Sequence, residues 1–252
     1  MERRTVLRLG VVASAATVTG LSAAQDDANT VASSPELDYD EVDKAFPPAF
    51  RLYGTIPADN EEEKMARKLL DAAPTKKSLQ STAEYFASLT VTNKNGWKYN
   101  AQWPDVEGAR WNPVLIGFYQ STSLPKPYIY RHGDTTAWCA AFLNWCLIRS
   151  GYKDTGNAMS GSFRTYGYDR LAKKESPVPG DIIVFQKAGA AGAAGHGHVA
   201  IYLETVLDGY RVLGGNQRAG KHFSSVNTTI FPAKSKGLTL HSIRAIDGMR
   251  KT

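Results

Sequence analysis

The chain has 252 residues, 42% of them hydrophobic, and a formal net charge of +6. That much apolar material can fill one sizeable core and excludes a disordered polymer. Two cysteines are too few for a disulfide-built scaffold, and beyond residue 24 no apolar run is long enough for a membrane-spanning helix.

The charge is unevenly spread. Residues 1–24 carry three Arg and one Glu, a net of +2. This segment has a basic start with Arg3 and Arg4, an apolar stretch from Leu9 to Ala24, and small residues at Ser22-Ala23-Ala24. Those are the parts of an export signal cleaved before Gln25, with a twin-arginine-like start that the general secretory route could also use. An exported protein of the bacterial envelope, periplasmic or secreted, is expected, with no stable membrane insertion after cleavage. Residues 25–63 hold eleven acids against Lys44 and Arg51, a net of −9, and 25–60 read as an acidic linker or arm. Residues 64–252 hold 25 bases and 12 acids, a net of +13, which suits an anionic polymer such as a cell wall. The basic residues are scattered and no nucleic-acid-binding motif spacing occurs, so nucleic acid is not an expected partner.

Residues 61–73 form a helix with acids in its first turn, and Pro74 ends it. Thr75 can cap a second helix to about Leu89, which completes a helical hairpin. The 90–111 loop is rich in aromatic residues. Trp97, Tyr99, Trp103 and Trp111 could stack on sugar, though core or anchoring use of such residues is the commoner one. Asn112-Pro113 starts a short helix with Pro at its first position.

Residues 134–148 read as the central helix, with Thr135 or Thr136 as N-cap and Cys139 in the first turn. There the macrodipole favours a thiolate. Cys139 and Cys146 are seven positions apart, roughly 10 Å along a helix and beyond disulfide reach. An exported chain with two unpaired thiols points to a reactive one. Cys139 is the candidate nucleophile, and Cys146, two turns in, is core packing.

Downstream, Pro177–Asp181 is a turn leading into the strand Ile182–Phe185. The stretch Lys187–Gly197 is too rich in Gly and Ala to hold a fixed shape by itself. His198–Thr205 and Tyr210–Leu213 are strands joined at Asp208-Gly209, and further strands lie near Ser225–Phe231 and Ile243–Ile246. Helices first and strands after make the class α+β with an antiparallel sheet. A thiol nucleophile needs a base and the base needs an orienting partner. His198, at a strand start, is the candidate base. A three-residue hairpin loop, Leu207–Gly209, would set Asn216 diagonally across from His198 on one face, whereas a two-residue loop would separate them.

Trp138-Cys-Ala-Ala-Phe-x-Asn-Trp-Cys146, Pro179-Gly-Asp-Ile-x-Val-Phe185, Gly197-His-Val-Ala-Ile-Tyr202 and Leu213-Gly-Gly-Asn-Gln217 together resemble the CHAP/NlpC-type cysteine peptidases and amidases, most closely an exported CHAP-like branch with the Gly-Gly-Asn-Gln motif. The resemblance implies a papain-like fold for a hydrolase domain over 112–252, following the helical hairpin and aromatic loop of 61–111. It carries over Cys139 as nucleophile, His198 as base and Asn216 as orienting residue, with Trp138 and Gln217 contacting substrate. Gly214 stands where many CHAP domains have an acid, and Trp138-Cys-Ala departs from the Asp-Cys-Ser of typical NlpC members. The implied reaction is hydrolysis of an amide in peptidoglycan, whether in a stem peptide, a cross-link or the sugar–peptide amide, without metal or other cofactor. Two rivals remain. One is a wall-binding or scaffolding protein of the same fold without turnover. The other is a metallopeptidase using His196-x-His198, whose third ligand would be His222 or Asp181 at a guess.

Overall fold

A computed structural model describes residues 56–104, 106, 109–218, 224–233 and 237–251. The export signal, nearly all of the acidic arm, and His222 lie outside the described residues.

Two helices open the described chain, α1 (Asn60–Ala72) and α2 (Leu79–Ala87). Asp59 starts α1 through a capping box: its carboxylate accepts from the Glu62 N–H and Glu62 accepts from the Asp59 N–H, both at 3.0 Å. Helix α2 begins later than expected because Ser78, not Thr75, caps it by accepting from Ser81 N–H. Helix α3 (Pro113–Tyr119) starts with Asn112 capping Val114 N–H. The Asn112 amide also donates to the carbonyls of Tyr99 and Ala101. It thereby ties the aromatic loop to the core, where Tyr99, Trp103 and Trp111 are buried. Those three rings are packing, and no open sugar platform is built from them.

Helix α4 (Lys126–His132) and a 3-10 turn (Gly133–Thr135) lead to α5 (Cys139–Ser150). The start of α5 differs from the sequence expectation. Thr135 donates its hydroxyl to the His132 carbonyl, and the Thr136 carbonyl accepts from Tyr119 Oη, so neither caps α5. The N-cap is Trp138, which makes no side-chain cap hydrogen bond. Cys139 is therefore the first helical residue, with uncapped N–H groups around it. The helix ends at Gly151 in the left-handed conformation.

A second 3-10 segment (Ser160–Thr165) precedes six strands, β1 (Tyr168–Asp169), β2 (Ile182–Lys187), β3 (Gly197–Val206), β4 (Gly209–Arg218), β5 (Ser224–Pro232) and β6 (Leu238–Ala245). A short helix α6 (Gly189–Ala193) lies between β2 and β3. The sheet runs β1-β6-β2-β3-β4-β5 with all pairs antiparallel, which makes the fold α+β and compatible with a papain-like domain. One face, with Ile182, Val184, Val199, Ile201, Leu213 and Val226, packs in the main core with α1 to α3 and α5. The other face buries Ile183, Phe185, Ala200, Tyr202, Val212 and Ile243. The alternation is the period-2 pattern of strands buried on both sides.

The turn before β2 is held by charge. Arg170, buried, grips Asp181 through Nε (2.6 Å) and Nη2 (3.2 Å) and reaches Asp247 at 2.7 Å. Asp181 thus has a structural partner. The Gly/Ala stretch between β2 and β3 holds a shape because the rest of the molecule supplies what it lacks: Arg164 Nη2 donates to the Gly192 carbonyl at 2.7 Å, and Gly161 packs directly on Gly195.

Candidate active site

Cys139 sits at the N-terminus of α5 with its thiol buried against the sheet. What it meets there follows from strand pairing. In the β2–β3 ladder Lys187 N–H donates to His196 and Tyr202 N–H donates to Asp181, so even-numbered β3 residues bond toward β2. Val199 N–H therefore points to the β4 side. The β3–β4 pairing ends at Ile201↔Leu213, so no β4 carbonyl takes that N–H. The Cys139 sulfur lies by it instead, near the N–H groups of Ala140 and Cys139 as well. These amides favour the thiolate, but complete burial outweighs them and pushes the Cys139 thiol up. The helix terminus alone suggests the opposite sign. Burial also raises the thiol of Cys146 well above its ordinary value, and nothing opposes it there.

His198 precedes Val199, so its backbone adjoins the sulfur while its ring lies on the other face of the sheet. The ring is buried and stacks on Phe231, with centroids 4.8 Å apart and planes 13° from parallel. Its Nε2 lies 3.4 Å from Gln217 Oε1. Gln217 Nε2 donates to the Asn227 carbonyl, which fixes which end of the amide faces His198. An amide oxygen can only accept, so Nε2 of His198 carries the proton and Nδ1 keeps the lone pair. Burial lowers the His198 pKa to about 4, with the Gln217 bond opposing the shift, so the ring is neutral near pH 7. Among the described residues no hydrogen bond joins Cys139 to His198.

The third position differs from the expected register. The hairpin has a two-residue loop, with Val206 opposite Gly209, and a bulge near Leu203 then shifts the pairing by one. A second irregularity in β4 lies between Gly214 and Gln217. There Asn216 takes φ +57, a left-handed conformation that relieves the extra residue. The bulge brings Gln217, not Asn216, beside His198. Asn216 is half-buried on the β4 side of the gap into which Val199 N–H points. The sequence signal for this was Gly214-Gly215, which permits a bend but does not reveal its direction.

Trp138 is fully buried, stacked on Phe118 and packed where a Cβ on Gly215 would come within 2.5 Å of its ring. It sets the start of α5 and is covered from solvent. Its indole N–H has no hydrogen-bond partner among the described residues. His196 and His198 have no third ligand gathered to them: Asp181 is held by Arg170, and among the described residues no group of three or more His, Cys, Asp or Glu is arranged to hold a metal ion.

No curated protein matches the chain, and no solved structure does. A family model, the CHAP domain, matches residues 131–216. The matched segment runs from the end of α4 through α5, β2 and β3 to Asn216 in β4. CHAP domains are typically hydrolases acting on peptidoglycan, as amidases or peptidases. This match over residues 131–216 is consistent with the CHAP/NlpC-type papain-like superfamily.

Proposed function

We propose that this protein is an exported peptidoglycan amide hydrolase working through a thioester on Cys139. The observation that carries the proposal is the arrangement at the β3–β4 gap. A sulfur on the first residue of an uncapped helix is surrounded by N–H donors, and the adjoining histidine is locked in the tautomer whose Nδ1 can accept a proton.

Both groups start neutral. Cys139 Sγ attacks the scissile carbonyl carbon while its proton passes to His198 Nδ1. The developing oxyanion takes hydrogen bonds from the Cys139 N–H at the helix start. The imidazolium returns the proton to the leaving amine as the C–N bond breaks, which leaves a thioester. His198 then takes a proton from water as the hydroxide oxygen attacks, and a carboxylate and free thiol result. Gln217 orients His198 in this reading, and Asn216 lines the rim where substrate enters. The His198 ring lies on the face of the sheet opposite the sulfur, so this transfer requires the ring to swing around the edge of β3 that no β4 residue pairs when substrate binds.

The buried thiol and its missing bond to His198 favour a second reading, a wall-binding protein without turnover. Digestion of purified peptidoglycan, with product masses read by mass spectrometry, separates the two. New pairs of amino and carboxyl ends support the hydrolase. Retention on the wall without soluble product supports the binding protein. Product masses also identify the bond cut. The export route is tested by following the mature N-terminus, expected at Gln25.

A further inference from the structure

Which end of the Gln217 amide faces His198 is decided on the neighbouring strand, at Asn227. Opposite the irregular stretch of β4, Gly214 pairs with Asn227 and Gln217 pairs with Ser225. The Asn227 side chain bridges these two pairs. Its Nδ2 donates to the Gln217 main-chain carbonyl at 3.2 Å and to Ser225 Oγ at 2.9 Å. Its Oδ1 lies 3.3 Å from Gln217 Nε2, which also donates to the Asn227 main-chain carbonyl. Each orientation follows from a group that cannot turn. The Gln217 main-chain carbonyl only accepts, so it selects the Nδ2 end of Asn227 and directs Oδ1 to the Gln217 side chain. Two oxygens of Asn227 then face one end of that side chain, so Gln217 presents Nε2 to them and Oε1 to His198. Reversing the Gln217 amide would set its oxygen against two other oxygens. Strand β5 is itself pinned on its outer side, where Val226 N–H donates to the Asn100 carbonyl at 2.8 Å and Gln102 N–H to the Ser224 carbonyl at 2.9 Å.

We propose that Asn227 is a positioning residue for His198, acting through Gln217. Its side chain holds the Gln217 oxygen toward His198 Nε2, which keeps the proton on Nε2 and the lone pair on Nδ1. The ring then leaves its stack on Phe231 with Nδ1 already free to accept a proton. The use of Nδ1 as a base rests on the hydrolase reading, whereas the tautomer in the resting protein does not. Gln217 alone does not make this choice. Without the Asn227 side chain, one acceptor for Gln217 Nε2 and both donated bonds across the β4 irregularity are lost, and the amide populates both orientations.

The test is a ring-nitrogen NMR spectrum of the full chain labelled at histidine, with the His198 signals assigned by their loss in His198→Gln. In wild type at neutral pH, Nε2 should carry the proton and Nδ1 should not. In Asn227→Ala the two nitrogen signals should move toward each other as the second tautomer appears. On peptidoglycan, kcat should fall roughly 3- to 10-fold, the worth of about one hydrogen bond, with KM little changed. Ser225→Ala removes one acceptor of the Asn227 amide and leaves its Gln217 contacts, so it should give a smaller change of the same kind. Thr229→Ala, on β5 opposite Val212, is the control for weakening the strand, and its tautomer should match wild type. An unchanged tautomer in Asn227→Ala, or an equal shift in Thr229→Ala, would overturn the proposal. If Asn227→Ala does not fold, an unchanged tautomer in Ser225→Ala overturns it. A shifted tautomer with wild-type kcat would remove Asn227 from the reaction. The expected tautomers in a wild-type chain that releases no peptide would keep the role of Asn227 at His198 and remove the hydrolase reading.

Discussion

His198 Nε2 lies 3.4 Å from Gln217 Oε1, and the far end of the same amide is held by Asn227. This one pair decides the tautomer of the imidazole and so which nitrogen can act as base. If Gln217 is the positioning residue, Gln217→Ala should lower kcat roughly 10- to 100-fold with KM little changed. Gln217→Glu should raise the His198 pKa, through a carboxylate beside the ring, and move the acid limb of the pH profile upward. Asn216→Ala should act mainly on KM. Steady-state kinetics over a pH series check all three, and a larger kcat loss in Asn216→Ala than in Gln217→Ala would reverse the assignment.

The same pair shows what could be read in the sequence. The placement of Cys139 at a helix start and of His198 near a strand start was legible because both are local features. The partner of His198 depended on register, and register was changed by two bulges, one near Leu203 and one between Gly214 and Gln217. Neither leaves a local signal beyond paired glycines, and each moves a side chain to the other face. The resemblance implied that Trp138 meets substrate. Its burial against Gly215 is a long-range contact that spacing could not reveal. The state of the thiol was misjudged for a related reason: a helix terminus is visible in sequence, but the depth of its burial is not.

The lowered His198 pKa gives a pH signature. The base is lost only as pH falls through about 4, so activity should persist at pH 5 to 6, where an ordinary imidazole would already be protonated. Stability follows the same group. Its folded pKa lies below the unfolded value of 6.5, so the unfolded chain binds the extra proton between the two. The contribution is full above about 6.5 and is lost as pH falls toward 4, on the order of 3 kcal/mol in all. Denaturant midpoints from pH 7 to 4 should fall in wild type and fall less in His198→Gln.

Gly215 permits the approach of β4 to α5. A Cβ there would come within 2.5 Å of Trp138 and 2.9 Å of Phe142, both fully packed. Gly215→Ala should destabilise by about 1–3 kcal/mol. It should also depress kcat, because Trp138 immediately precedes Cys139. Thermal melts with parallel rate measurements test this. A stable, fully active variant would remove the proposed role of Trp138 in seating the helix.

The two thiols should differ in reactivity. Cys146 is fully buried with no donor near it, and Cys146→Ala should keep activity at a cost of about 1 kcal/mol. Iodoacetamide should label Cys139 alone in the native protein. The rate should climb as pH rises past the ordinary thiol range, since burial holds Cys139 protonated at neutral pH. Peptide mapping after timed labelling reads both sites.

Whether Cys139 performs the chemistry is decided by removing its sulfur. The direct measurement is the rate at which purified peptidoglycan releases soluble peptide with wild-type protein and with Cys139→Ala, side by side in the presence of a chelator. If Cys139 is the nucleophile, wild type releases peptide steadily and the variant loses at least about 10³-fold. Equal release by both proteins would contradict it.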